Sequence, residues 1–67
     1  MAGKQQTLDP LMRRQSVEQV TGLTTSTLYR LVKLGGFPAP LQLTKGVVAW
    51  KQQEVTQWIG SRPRVAL

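Results

Sequence analysis

Gly22 and the pair Gly35-Gly36 bracket a run, Leu23 to Leu34, that reads as a tight turn followed by one short amphipathic helix. Just upstream, Ser16-Val17-Glu18-Gln19-Val20-Thr21 reads as an earlier short helix. Ser16 is the expected cap, Gln19 reaches back three residues later to complete a capping box, and Gly22 supplies the left-handed residue that stops the helix. The first helix is thus expected over residues 17–21. Leu23 turns the chain inward, and Thr24 or Thr25 offers a side-chain oxygen to the open amides of a second helix expected over residues 25–34.

At about 100° per residue, Leu28, Leu31 and Val32 share roughly a quarter-turn of that second helix, and Val17 and Val20 are spaced i and i+3 on the first. With Leu23 from the turn, all six are expected in the core. Glu18 is expected in the first turn of its helix, where its charge suits the dipole. The opposite face of the second helix carries Ser26, Tyr29, Arg30 and Lys33, which combine hydroxyl donors, a guanidinium fork and an ammonium. Two helices around a Gly-containing turn, the second showing a short polar residue and an Arg near its start, follow the logic of a helix-turn-helix. Arg30 is the side chain able to fork onto a guanine edge.

Charge and composition narrow the function. Nine Lys and Arg against three Asp and Glu leave a net charge of +6, which favours a polyanionic partner. With no Cys and no His, thiolate and imidazole metal sites and the usual general base are absent. Asp9, Glu18 and Glu54 lie in separate segments with nothing pairing them for acid-base work, so neither an enzyme nor a cofactor is expected. No apolar run approaches the roughly 20 residues of a membrane span, and MAGKQQT lacks the apolar core of a signal peptide. A cytoplasmic protein without membrane partners is the expectation.

Sixty-seven residues make one domain. Residues 1–10 read as a flexible arm, with Lys4 within reach of phosphate, residues 11–62 as the folded domain and residues 63–67 as a basic tail. Residues 11–14 read as a short extended piece anchored by an apolar side chain, and its Arg13 and Arg14 are candidate contacts to a DNA backbone. Gly36-Phe37-Pro38-Ala39-Pro40 is held extended by two prolines, with Phe37 as the plug beneath the turn. Leu41-Gln42-Leu43-Thr44 and Val47-Val48-Ala49-Trp50 flank Lys45-Gly46 as a β-hairpin, a candidate wing whose Lys45 lies on phosphates or reaches toward the minor groove. Residues 51–59 return to helical spacing, with Val55, Trp58 and Ile59 as one stripe. Both tryptophans are expected in the core, because a domain this small needs their area.

Val20-Thr21-Gly22-Leu23-Thr24, Ser26 to Lys33, Gly36 to Pro40, Trp50 and the spacing Glu54-Val55-Trp58-Ile59 together resemble the AlpA-type regulators of prophages and other mobile elements. That family sits among MerR-like winged-helix proteins and is related to phage excisionases. The resemblance implies a mainly α fold with a small β-hairpin, a winged helix-turn-helix whose second helix enters the major groove. It also implies that Ser26, Thr27 and Arg30 face bases while Thr25, Tyr29 and Lys33 contact the backbone. The wing tip departs from the Gly-Gly-Arg type frequent in relatives, carrying Thr44-Lys45-Gly46 instead.

The function expected from all this is sequence-specific binding of double-stranded DNA by a transcriptional regulator of a mobile element, controlling integrase or excision genes. Two alternatives stay open: an excisionase that bends an attachment site and directs an integrase, and a protein-binding inhibitor of another regulator. An integrase partner, and a weak dimer or cooperative assembly on DNA, are likewise open expectations.

Overall fold

The computed structural model describes residues 10–66. The arm expected over residues 1–10, with Lys4, lies outside the described residues except for Pro10, whose carbonyl accepts the amide of Gln52 at 2.9 Å. Six elements follow in order: β1 (Leu11–Met12), α1 (Arg14–Thr21), α2 (Thr25–Leu34), β2 (Leu41–Thr44), β3 (Val47–Lys51) and α3 (Gln52–Gly60). Three helices and a small antiparallel sheet make the chain a winged helix-turn-helix, mainly α with a β-hairpin.

The turn chemistry of the helix pair is as the glycines dictate. Gly22 has φ 75°, and its amide donates to the Glu18 carbonyl at 2.8 Å to end α1. Of the two candidate caps it is Thr24 that caps α2, its hydroxyl oxygen accepting the Thr27 amide at 3.3 Å. At the far end Gly35 has φ 80°; its amide donates to Val32 and that of Gly36 to Leu31, the paired bonds of a Schellman motif.

The first helix begins earlier than its capping pattern suggests. Arg13 is extended at φ −80° and ψ 165°, without a side-chain cap, and its carbonyl accepts the Val17 amide at 3.1 Å, so α1 starts at Arg14. Ser16 therefore lies inside the helix and forms no capping box. Arg14 and Gln15 are better helix formers than serine, and Arg14 reaches Glu18 one turn on at 2.8 Å, so the extra turn is supported locally. The same shift carries Glu18 out of the first turn. It also corrects the extended piece expected over residues 11–14, of which only Leu11–Met12 is strand.

That short strand completes a sheet of order β1-β3-β2, with Leu11 opposite Lys51 and Met12 opposite Trp50. On the other side Leu41 pairs with Ala49 and Gln42 with Val48, before a bulge leaves Thr44 opposite Val47; Gly46, at φ 80°, closes the turn. Being central, β3 contributes the buried Ala49 and Trp50. Val17 of α1, Leu28 of α2, Phe37, Trp50 and Val55 of α3 form the core, with Met12, Leu23, Leu31, Val32, Val48 and Trp58 packed around it.

Phe37 meets Trp50 and Trp58 edge-on, at ring-centre distances of 6.3 and 4.7 Å. The two indole N–H groups pin the extended linker behind it: Trp50 Nε1 donates to the Pro38 carbonyl at 2.7 Å and Trp58 Nε1 to that of Gly36 at 2.6 Å. Trp58 is only half-buried, with the Arg62 guanidinium stacked 4.4 Å from its ring centre.

Val20, expected in the core, faces solvent at 54% exposure, and Ile59 of the α3 stripe is 41% exposed, because a helix of two turns resting on so small a core buries a single narrow stripe. Val17→Ala will therefore cost about 2 kcal/mol, two buried methyl groups with the space they leave, whereas Val20→Ala stays within about 0.5 kcal/mol of wild type. Urea unfolding followed by circular dichroism reads both, and equal losses would refute this assignment of the core face.

Candidate nucleic-acid interface

The exposed side of α2 carries the side chains expected there. Ser26, Arg30 and Lys33 face solvent and Tyr29 is 39% exposed, while Leu28 on the opposite side is fully buried. Among the described residues Arg30 and Lys33 have no hydrogen bond or ion pair, so their donors are unengaged. The Tyr29 ring lies 6.3 Å from that of Trp50, tilted by 48°, which ties an exposed hydroxyl-bearing residue to the centre of the core. Thr27 is half-buried, and its hydroxyl oxygen accepts from that of Thr24 at 3.1 Å as part of the helix cap.

Residues distant in sequence meet beside this face. Arg13, Arg14 and Gln15 at the start of α1, Tyr29 on α2, and Gly46 and Val48 of the hairpin line a polar cleft of about 450 Å³. Lys45, next to Gly46, is exposed at the hairpin tip. The structure thus brings Arg13, Arg14 and Tyr29 to one cleft with the wing tip at its edge. Arg30 and Lys33 lie along the neighbouring part of α2, lining a second, more open groove with Tyr29 and Val32.

Arg14 and Thr25 are engaged within the molecule. Arg14 Nη1 donates to Glu18 Oε2 at 2.8 Å and to Thr25 Oγ1 at 2.9 Å, and the Thr25 hydroxyl donates to the same Glu18 oxygen at 2.6 Å. The Thr25 hydroxyl and, after it, the Arg14 guanidinium hold the Glu18 carboxyl below the usual carboxylate range, against the raising effect of its partial burial. Glu18 is the member of this cluster that sequence reasoning missed. Its i, i+4 spacing to Arg14 is visible in the sequence, but its contact to Thr25 needs the angle between two helices.

Among the described residues no group of three His, Cys, Asp or Glu could hold a metal ion, and no helix is long and apolar enough to cross a membrane. What remains is a cationic, hydroxyl-rich surface on a helix-turn-helix. The model of one protein family, described as the prophage CP4-57 regulatory protein AlpA, matches residues 10–63. The chain belongs to the AlpA family. That family is regulatory, not enzymatic. The matched span runs from the start of the three-stranded sheet through α3, so both helices of the pair and the wing fall within the AlpA match. The uncharacterised protein ORF88 of Enterobacteria phage P4 is 38% identical over 56 residues, covering 84% of this chain and 64% of that protein. This AlpA-family chain thus spans just under two thirds of the length of its phage relative. No solved structure matches it.

Proposed function

We propose that this AlpA-family chain is a sequence-specific DNA-binding transcriptional regulator of a prophage or related mobile element, acting on integrase or excision genes. The observation that carries the reading is the outer face of α2: Ser26, Tyr29, Arg30 and Lys33 stand exposed without one acidic residue on the helix, and the exposed Arg30 and Lys33 have no partner among the described residues. In this reading α2 lies in the major groove, where Ser26, Thr27 and Arg30 meet base edges. Tyr29, Lys33, Arg13, Arg14 and the wing-tip Lys45 take phosphates and fix the register. The net charge of +6 supports the salt-sensitive part of that affinity.

Fluorescence anisotropy tests the proposal, with duplexes tiled across the neighbourhood of the chain's own gene against a random duplex at two salt concentrations. One tile is expected to bind far tighter than the rest. Lys45→Ala should weaken binding to that tile and to random DNA alike, and lower the salt slope by about 1, as the loss of one phosphate contact does. Weak, equal binding to every tile would refute the reading and move the search to protein partners.

A further inference from the structure

An acidic side chain at the mouth of a DNA-binding surface is at first sight misplaced. Phosphates repel it, and among the described residues the only other carboxylate, Glu54, lies in the first turn of α3. The Glu18 carboxylate nevertheless bridges α1 and the first residue of α2. Its Oε2 takes Arg14 Nη1 and Thr25 Oγ1, which are themselves bonded to each other, so three side chains close a ring of three short hydrogen bonds. The ring spans the gap that the backbone crosses through Gly22, Leu23 and Thr24. Val17 and Leu28 hold the two helices together from the buried side; the ring holds them from the surface.

Its hydrogen-bond inventory has two consequences. The Thr25 hydroxyl has one proton, and that proton points to Glu18, so it is withheld from a phosphate oxygen. Arg14 has five N–H groups, and the ring uses Nη1 alone, leaving the three on Nη2 and Nε without a partner among the described residues. A guanidinium clamped by a carboxylate has few orientations left and loses less entropy when it meets a phosphate.

We infer that Glu18 is a positioning residue for DNA recognition, its carboxylate locking Arg14 and the start of α2 into the geometry in which they meet the duplex. The inference rests on the DNA-reading function proposed above. It runs against simple electrostatics, under which removing a negative charge from this surface tightens binding to every DNA. The two accounts differ in sign.

The experiment measures Glu18→Ala, Thr25→Val and the double variant on the preferred duplex and on a random one, at a temperature where circular dichroism finds each fully folded. Glu18→Ala is expected to lose about tenfold in affinity for the preferred duplex and only about twofold for random DNA, where Arg14 still meets phosphate but the start of α2 reads no bases. Thr25→Val, a change of nearly equal volume at an exposed position, should lose in the same sense, and Thr25→Ser, which retains the hydroxyl, should not. The double variant should lose no more than the worse single one, as partners in one network do. A purely structural role would lower the melting temperature and leave the ratio between the two duplexes unchanged. Equal or tighter binding of the preferred duplex by Glu18→Ala, or additive losses in the double variant, overturns the positioning role while the DNA-reading function stands. A wild-type chain that prefers no duplex overturns both.

Discussion

Trp50→Ala will cost about 3 to 5 kcal/mol of folding stability, the range for truncating a buried aromatic residue. Trp50 is the largest of the fully buried side chains and sits on the central strand, opposite Met12. Its ring is flanked by Phe37 and Tyr29, each at a centre-to-centre distance of 6.3 Å. Its N–H is the donor to Pro38 that holds the linker between α2 and the hairpin. Alanine removes all of these at once and orphans a carbonyl. A domain of this length has in total roughly 3 to 10 kcal/mol, so the loss takes about a third or more of the whole. Urea titration followed by near-ultraviolet circular dichroism reads the loss, with Trp50→Phe as comparator. Phenylalanine keeps most of the ring area and forfeits the N–H, so a smaller cost of about 1 to 3 kcal/mol is expected. A Trp50→Ala protein that melts within a few degrees of wild type would show that the core is not organised around this residue.

Arg30→Ala carries the largest expected effect on recognition. Its guanidinium is exposed near the middle of α2, unlike those of Arg14 and Arg62, which have partners inside the molecule. An unengaged fork on the outer face of that helix suits the O6 and N7 acceptors of guanine, a bidentate contact worth about 1 to 3 kcal/mol. Anisotropy titrations should show that loss on the preferred duplex and little on random DNA, narrowing the gap between them. The fold should be untouched, because the Arg30 side chain is exposed on the outer face of α2. Equal losses on both duplexes would place Arg30 on phosphate and assign base reading to another residue, with Ser26 and Thr27 next to be replaced.

Much of the frame was legible because local chemistry determined it. Positive φ at Gly22, Gly35 and Gly46 marks three chain reversals where L side chains are strained, and each lies where a sequence pattern ended. The bounds of α2, its buried Leu28 and its exposed Ser26, Arg30 and Lys33 follow from a period of 3.6 between a threonine cap and a glycine stop. The hairpin follows from two β-prone runs around Lys45-Gly46. These features need only neighbours along the chain.

Contacts between distant segments were decided by the tertiary structure alone. Leu11–Met12 is too short for any periodicity, and becomes a strand because β3 offers it an unpaired edge. Val17 and Val20 look alike in sequence, yet the packing of α1 on the rest of the core buries one and exposes the other. Glu18 reads as a charge suited to a helix terminus until the angle between α1 and α2 brings Thr25 within 2.6 Å of it. The sequence by itself determined where helices stop, which face of α2 is apolar and that the surface is cationic, since propensity, caps and charge act over a turn or less. Which side chains meet across elements, and so the cleft at the wing and the ring at Glu18, follows from a single packed arrangement in three dimensions, and no spacing along the chain encodes it.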